Sequence, residues 1–316
     1  MLRMVQREGA YLKLQNKHLK TILRILLFLL TAFAVYTIQK NGSDWLEQAR
    51  EYQWSPNPLM LSISGVLLSF SLVFTPLGWA LISRNMGSNA SMKELFAAWY
   101  ASQLGRYIPG KIWLFAGRAG FLKARGMGTA RAAATTALEL LFTVASVGLI
   151  TVTVSLFFPE AMPEAGFRTA AALSGSAALL LPLLHPVQRY LCRKKGIEGD
   201  FLPGPAITAK TVLLFTGFWI MRGFALFTLL KGAGIEGIKP AASLLAAPLS
   251  WFAGYIAVMV PGGIGIRETA AAAISAPAAV VPAAFLIAGQ RVFMALLEAA
   301  LAAWGAGRIT IRKKEQ

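Results

Sequence analysis

Cysteine and histidine are almost absent from the 316-residue sequence, which contains only Cys192, His18 and His185. A single cysteine excludes an intramolecular disulfide, and two histidines in separate basic flanks form no cluster of metal ligands. The sequence also lacks a Ser/His/Asp arrangement, a Walker loop and a zinc-ligand spacing. The Gly-x-Gly in "GGIGIRE" follows no strand pattern and does not indicate a dinucleotide site. We therefore expect no metal and no cofactor.

Acidic residues are also scarce, with 14 Asp and Glu against 31 Lys and Arg, which gives a net charge of +17. In a soluble protein this excess would suggest nucleic-acid binding. Here the cations are divided among short segments between apolar runs, so no continuous basic face can follow a phosphate backbone. This distribution is typical of loops that set membrane topology and contact anionic lipid. We expect membrane lipids as partners and no nucleic acid.

Apolar residues, in contrast, make up 56% of the chain, against 14% for charged residues. A soluble domain of this size could not bury so much apolar surface. Apolar runs of the roughly 20 residues needed to cross a bilayer recur along the chain. They predict an all-α polytopic integral membrane protein with about six full spans, at about 21–38, 58–83, 132–157, 167–184, 208–230 and 281–305.

Two further apolar regions, 91–122 and 241–275, are each interrupted by a helix-breaking Pro-Gly pair. We predict that each region is a re-entrant helical hairpin, which leaves the membrane on the side from which it entered. The segments on one side of the membrane then carry 20 of the Lys and Arg residues, and those on the other side carry 5. The positive-inside rule places the first group, with both termini, in the cytoplasm.

The two Pro-Gly pairs are 152 positions apart, and the same shift carries the second and third predicted spans onto the fifth and sixth. With the topology above, equivalent spans run in opposite directions. This pattern is typical of an inverted-topology repeat, in which paired broken helices meet near the middle of the bilayer. We predict a single transmembrane domain over 1–316 without a soluble catalytic domain, with repeats at 58–157 and 208–305.

The hairpin tips place charge inside the membrane, where a charged side chain costs at least about 2.5 kcal/mol on insertion scales. A break at Pro-Gly frees backbone N–H groups at the start of the next half-helix, and an anion satisfies them while meeting the positive end of the helix dipole. Arg106 and Lys111 flank the first break, and Arg267 follows the second. Gly262 and Gly263 allow close backbone approach. These features predict a phosphate-binding site.

Other intramembrane charges have two interpretations. Glu139 and Arg291 are also 152 positions apart, and they either bind substrate or form ion pairs that fix helix register. Arg118 is either a site residue or an ordinary cation at the cytoplasmic edge. Arg222 and Glu298 are interpreted as structural. The aromatic residues near the first break are interpreted as packing and interface anchors, namely Trp99, Tyr100, Tyr107 and Trp113.

At its two breaks the sequence resembles the lysylphosphatidylglycerol synthase transmembrane-region family. The resemblance is carried by "LGRYIPGKIW" with the following "GRAGFLKARG", and by "VMVPGGIGIRE". It implies a helical fold with re-entrant hairpins and a role in moving lipids with modified or glycosylated head groups between leaflets. The resemblance would place the following residues at the substrate cavity: Arg106, Pro109, Gly110, Lys111, Pro261, Gly262, Gly263, Arg267 and Glu268. Beside Arg267, Glu268 would orient the guanidinium or receive a cationic head group.

These observations together predict a lipid flippase of the cytoplasmic (inner) membrane. The expected substrate is an anionic lipid with a modified head group, either a glycosylated polyprenyl phosphate or an aminoacylated phospholipid. Two alternatives remain open. One is a membrane-embedded enzyme acting on lipid phosphates, which would need a general base or metal-binding carboxylates near the tips, where only Glu268 qualifies. The other is a scaffold subunit for a separately encoded synthase or glycosyltransferase.

Overall fold

The protein is described by a computed structural model, which covers residues 44–103, 105, 112–161, 202–257 and 260–314. Within these residues all regular secondary structure is helical. The main helices are α1 (Pro58–Ser71), α2 (Phe74–Asn85), α3 (Met92–Gln103), α4 (Ile112–Ala124), α5 (Thr129–Phe157), α6 (Pro205–Gly232), α7 (Pro240–Ile256), α8 (Ile266–Ser275) and α9 (Val280–Lys314). The predicted spans 21–38 and 167–184 lie outside the described residues.

Four stretches of the described chain are long and apolar enough to cross a membrane, namely Pro58–Asn85, Thr129–Phe157, Pro205–Gly232 and Pro277–Arg308. The shortest has 28 residues, hence about 42 Å of helix, against about 30 Å of hydrocarbon. They coincide with the second, third, fifth and sixth predicted spans. The prediction of an all-helical, multi-pass membrane protein is confirmed, and the total of six spans stays a prediction.

The first of these stretches is broken between α1 and α2, a feature that the hydropathy pattern did not predict. Pro76 explains the break, because proline has no N–H to donate to the carbonyl four residues earlier and its ring clashes with that carbonyl. The carbonyl belongs to Leu72, which instead accepts a hydrogen bond from the Tyr100 hydroxyl at 3.1 Å. The break therefore anchors α3 to the first span.

The regions predicted to be hairpins are pairs of short helices. α3 and α4 have 12 and 13 residues, and α7 and α8 have 17 and 10. None is longer than about 26 Å, so none alone crosses about 30 Å of hydrocarbon. α3 and α4 are antiparallel, since Gly105 lies against the backbone of Leu114 while Ser102, further from the tip, lies against Gly117. Their re-entry from a particular side of the membrane stays a prediction.

The two halves of the chain have the same order of helices at the same spacing. Adding 152 to the bounds of α3 gives 244–255, which lies inside α7. The same shift carries α4 onto α8, α5 onto α9, and the α1–α2 pair onto α6, within about five residues at each end. This correspondence supports the predicted repeat. The opposite orientation of the two halves across the membrane stays a prediction.

Each half packs a hairpin arm against the long helix of the other half. α3 crosses α9 so closely that a Cβ added at Gly305 would lie 2.4 Å from the Ala97 carbonyl oxygen. In the equivalent crossing, Val147 and Ile150 of α5 share an apolar cluster with Leu245 of α7. Small residues allow such close approach between membrane helices. The two halves therefore interlock around a common centre.

The outer end of α3 is closed by a reciprocal cap. The Ser91 N–H and hydroxyl donate to Glu94 Oε2 at 2.8 and 2.9 Å, and the Glu94 N–H donates to Ser91 Oγ at 3.4 Å. This pattern satisfies backbone donors that a helix start leaves without partners. Arg125, just after α4, forms an ion pair with the same carboxylate. The Ser91–Glu94 cap thus connects the two arms of the first hairpin at the ends that lie away from the break.

Replacing Ser91 by alanine should lower the free energy of unfolding by about 1 kcal/mol, because the cap loses its hydroxyl. The measurement is detergent-micelle denaturation followed by far-UV circular dichroism. Ser62→Ala is the matched control, since this exposed hydroxyl donates only to the Pro58 carbonyl of its own helix. Equal losses for the two variants would show that the cap contributes no stability of its own.

Candidate functional site

A cavity of about 220 Å³ lies at the centre of the protein, and every helix from α2 to α9 contributes to its wall. The lining is mixed, with tryptophan and leucine side chains beside hydroxyl, amide and charged groups. A concave pocket with a few convergent polar groups is the usual form of a ligand site. Its charged lining residues are Arg118, Glu139, Arg222, Arg267, Arg291 and Glu298.

Arg118 of α4 and Glu139 of α5 form a buried ion pair in the wall of the first half. The Arg118 side chain is only 3% exposed, and it also donates to Ser102 Oγ at 3.0 Å and Gln103 Oε1 at 3.3 Å. The second carboxylate oxygen of Glu139 accepts the Trp99 indole N–H at 2.8 Å. Such additional hydrogen bonds are what allow a charge pair to be buried. The cluster fixes the first hairpin against α5.

Glu268 of α8 and Arg291 of α9 form the corresponding ion pair in the second half. Arg291 also donates to the Gly262 carbonyl at 2.7 Å and the Gly263 carbonyl at 3.4 Å. The other Glu268 oxygen accepts the Gly265 N–H at 2.8 Å. The carbonyls at the break and the first donor of α8 are therefore satisfied by side chains of the protein itself.

The two ion pairs occupy similar places with reversed polarity, although the 152-residue shift carries Arg118 onto Ala270, two positions from Glu268. Adding 152 to Glu139 gives Arg291, so the long helix carries the acid in the first half and the base in the second. In each half the partner lies on the second arm of the hairpin, as Arg118 or as Glu268. Glu139 and Arg291 thus form ion pairs, as one of their two interpretations proposed, and both also border the cavity.

Arg267 lies in a narrow space between two glycines. A Cβ at Gly254 would be 2.5 Å from Arg267 Cγ and Nε, and a Cβ at Gly263 would be 2.9 Å from Nε. Gly263 also has a φ of 67°, a left-handed conformation that glycine adopts without steric cost. These two glycines let the Arg267 side chain pass close to the backbone of the break and reach the cavity.

The residues that the sequence predicted for the site fall into three groups. Arg118, Glu139, Gly262, Arg267 and Arg291 border the cavity. Three lie at the second break beside it: the turn begins at Pro261, the Gly263 carbonyl accepts from Arg291, and Glu268 pairs with Arg291. Arg106, Pro109, Gly110 and Lys111 lie outside the described residues, so their place in the site stays a prediction.

Two details differ from the sequence-based expectations. Glu268, expected either to orient Arg267 or to receive a cationic head group, forms an ion pair with Arg291 of α9. The backbone donor of Gly265, at the start of a half-helix expected to face phosphate, is occupied by the Glu268 carboxylate. The reason is that the capping residue lies three positions after the helix start, where its carboxylate reaches the free N–H. At the second break, Arg267 and Arg291 border the cavity, whereas the Gly265 N–H is occupied by a carboxylate of the protein.

Sequence reasoning interpreted Arg222 and Glu298 as structural, but both line the cavity. Arg222 lies over the Phe218 ring, with 5.3 Å from its guanidinium carbon to the ring centroid. Trp99 and Trp251 also border the cavity, and the 152-residue shift relates them to each other. That shared spacing is a signal in the sequence that could have identified both tryptophans.

Replacing Glu139 by glutamine should lower the free energy of unfolding by about 3–5 kcal/mol, because it leaves the buried Arg118 without its counter-charge. The glutamine oxygen can still accept the Trp99 N–H. The double variant Arg118→Met with Glu139→Gln should recover at least half of the loss. The free energy of unfolding of all three proteins is measured by denaturation in mixed micelles with increasing SDS.

The matched control is Glu94→Gln, which removes a carboxylate from the more exposed pair with Arg125. That change should cost no more than about 1 kcal/mol. If Glu139→Gln costs no more than Glu94→Gln, the buried pair does not hold the first hairpin.

Comparison with known proteins assigns the chain to a family. The family model described as "Lysylphosphatidylglycerol synthase TM region" matches residues 21–302, which is most of the sequence. No individual curated protein matches the chain. The family match agrees with the resemblance of the two Pro-Gly motifs and with the four apolar helices. This multi-pass membrane protein therefore belongs to the lysylphosphatidylglycerol synthase transmembrane-region family.

Proposed function

We propose that the protein is a flippase, which moves an anionic lipid with a modified head group between the leaflets of the cytoplasmic membrane. The observation that carries the proposal is the arginine-rich cavity at the meeting of the two halves of a membrane domain. Membership of a family named for a lipid-modifying system agrees with a lipid substrate. The lysine and arginine distribution favours a cytoplasmic location for both termini.

The charge of the cavity supports an anionic ligand. Four arginines and two glutamates line it, which gives these side chains a net charge of +2. Counting Glu268, the partner of Arg291, lowers the total to +1. A guanidinium matches the geometry of a phosphate group, and the attraction is strong where water is scarce. A lipid phosphate would offset a positive charge that is otherwise costly inside the bilayer.

The size of the cavity fits a head group and excludes a whole lipid. Its volume is about 220 Å³, below the roughly 300–1,000 Å³ of pockets that enclose drug-sized ligands. The chains of a bound lipid would therefore remain in the surrounding bilayer while the polar group occupies the cavity. Moving only the polar part through a protein cavity removes the main barrier to lipid transfer between leaflets, which is the cost of taking charge into hydrocarbon.

The repeat supplies a means of alternating access. In transporters with inverted repeats, one half rocks against the other around a central site. Here the cavity wall is shared by both halves, and each half holds its own hairpin through an ion pair. The second arm of each hairpin is therefore tied to the long helix of its own half, while the first arm packs on the long helix of the other half, and rocking would have to rearrange that second contact. We propose that such movement exposes the head-group site first to one leaflet and then to the other.

Glu268 bears on the alternative of a membrane enzyme, because it was the candidate general base. One of its carboxylate oxygens pairs with Arg291 and the other accepts the Gly265 N–H. Both oxygens of this carboxylate are thus engaged by groups of the protein itself. This arrangement favours transport over catalysis by Glu268. A role beside a separate synthase or glycosyltransferase remains compatible with lipid transport.

Replacing Arg267 by glutamine should slow lipid translocation at least about tenfold, because a charge-assisted contact to phosphate contributes about 1.5–3 kcal/mol. The assay uses proteoliposomes with phosphatidylglycerol carrying a fluorescent acyl chain, and dithionite bleaches the label in the outer leaflet. Arg84→Gln is the matched control, because it removes the same charge from an exposed position at the end of α2.

Equal translocation by the wild type and Arg267→Gln would contradict the proposed route through the cavity. Absence of translocation by the purified wild type with every anionic lipid tested, together with co-purification of a lipid-modifying enzyme, would favour the scaffold alternative.

Replacing Gly254 by alanine should reduce translocation to a similar degree, because the new Cβ would overlap Arg267 and displace its side chain. Thermal stability should also fall, because Arg267 Cγ must shift, and the higher helix propensity of alanine offsets only part of this loss. Gly289→Ala on α9 is the control, as an added Cβ there has no atom within 4 Å. That control should retain transport. Normal transport by Gly254→Ala would show that the position of Arg267 is unimportant.

A further inference from the structure

Two tryptophans border the cavity at equivalent positions of the two halves. Trp99 lies on α3 and Trp251 on α7, and they are 152 residues apart. The residues one turn later, Gln103 and Tyr255, are related by the same shift and also line the cavity. The repeat thus places one aromatic ring on each side of the head-group site. The two rings differ in what surrounds them.

Trp99 is fully engaged by the protein. Its indole N–H donates to Glu139, and the guanidinium of Arg118 lies over its ring, 4.7 Å from the centroid. The side chain is buried, with a relative exposure of 4% for the residue. Because a cation covers one face of the ring and the N–H is already hydrogen-bonded, neither group is available to bind a ligand. Trp99 therefore serves the ion pair of the first half.

Trp251 has none of these partners among the described residues. The residue equivalent to Arg118 in the second half is Ala270, so no guanidinium covers the Trp251 ring at that place. Within the described chain it stacks on Tyr255 at 5.1 Å, makes a tilted contact with Trp219 at 5.4 Å, and packs against the apolar cluster that contains Trp219. Its indole N–H makes no hydrogen bond to the described residues. The side chain is half-buried at the cavity wall.

An aromatic wall of this kind suits two classes of head group, which are cationic groups bound through cation–π contacts and uncharged groups with an apolar face. The net charge of the cavity favours one of these two classes of head group over the other. The lining side chains carry a net charge of +2, or +1 with Glu268, and protonation of any carboxyl would raise that value. An aminoacylated lipid with added ammonium groups would be repelled. An uncharged group joined to a phosphate would not.

The remaining polar lining is suited to hydroxyl groups. Thr75, Thr143 and Ser250 supply hydroxyls, and Gln103 and Gln290 supply amides. The Thr143 and Ser250 hydroxyls donate to carbonyls of their own helices, which leaves their oxygens able to accept further hydrogen bonds. The Trp251 N–H is a donor at the same wall. Neutral donors and acceptors around an aromatic face match a ring that carries several hydroxyls.

We propose that the lipid head group beyond the phosphate is uncharged and rich in hydroxyls, as in a glycosyl or other cyclic polyol phosphate, and that it packs against Trp251. This inference rests on the proposed function and narrows its substrate class. Arg222 and Arg267 bind the phosphate, and Trp251 with Tyr255 forms the wall for the ring. Aminoacylated lipids with net positive charge are poor substrates.

The test compares three lipids with the same fluorescent acyl chain in proteoliposomes containing the whole protein. Phosphatidylinositol has a phosphate and an uncharged polyol ring, phosphatidic acid has the phosphate alone, and lysylphosphatidylglycerol has a cationic head group. Wild-type protein should move phosphatidylinositol at least about fivefold faster than lysylphosphatidylglycerol. Trp251→Ala should slow phosphatidylinositol about fivefold and leave phosphatidic acid nearly unchanged, since only phosphatidylinositol has a ring that can pack on the Trp251 side chain.

Two variants separate this contact from a general loss of structure. Trp304→Ala removes a tryptophan that packs on Tyr100 outside the cavity lining, and it should preserve the preference for phosphatidylinositol. Arg267→Gln should slow phosphatidylinositol and phosphatidic acid equally, because both carry the phosphate.

Faster movement of lysylphosphatidylglycerol by the wild type would overturn the head-group inference and leave the flippase proposal intact. Equal slowing of all lipids by Trp251→Ala would overturn the role of Trp251 as a head-group wall. Failure of the wild type to move any of the three lipids would instead count against the flippase proposal itself.

Discussion

Burial of arginine in a membrane domain requires an acidic partner, and two such pairs organise this protein. The hairpin helices are too short to cross the bilayer alone, so packing and polar contacts must hold them in place. Arg118–Glu139 and Glu268–Arg291 each join the second hairpin arm to the following long helix. Each pair also draws in backbone or aromatic groups, which satisfies the remaining donors and acceptors. Hairpin and long helix therefore form one polar unit in each half.

The same pairs bear on the net charge of the cavity. Because each ion pair neutralises itself, the positive surplus of the site depends on Arg222, Arg267 and Glu298. Arg267 reaches the cavity only because Gly254 and Gly263 leave space for its side chain. Local backbone chemistry at the second break thus controls the position of a charge in the cavity. The packing around Arg267 therefore determines the position of a side chain that we propose contacts the lipid phosphate.

Hydropathy and Pro-Gly spacing were sufficient to predict the described spans, the hairpin arms and the 152-residue shift, because these depend on composition along the chain. Side-chain partners could not be predicted in the same way. For Glu268 the sequence left open a contact with its neighbour Arg267 or with a cationic head group, and it did not predict the ion pair with Arg291 on another helix. Arg222 and Glu298 were interpreted as structural because no motif surrounds them. Pro76 could have predicted the break between α1 and α2, but a hydropathy value averaged over the whole span does not reveal a single proline.

The repeat gives the cavity two similar walls, and their side chains have diverged. The Trp99 ring is covered by Arg118 and its N–H is bonded to Glu139, while Trp251 stacks on Tyr255 and Trp219 and packs against an apolar cluster. A symmetric cavity would bind a head group equally well in two orientations related by the repeat. Divergent walls favour one orientation, with phosphate near the arginines and the remainder against Trp251. A repeated backbone can thereby carry a binding site whose side chains are not repeated.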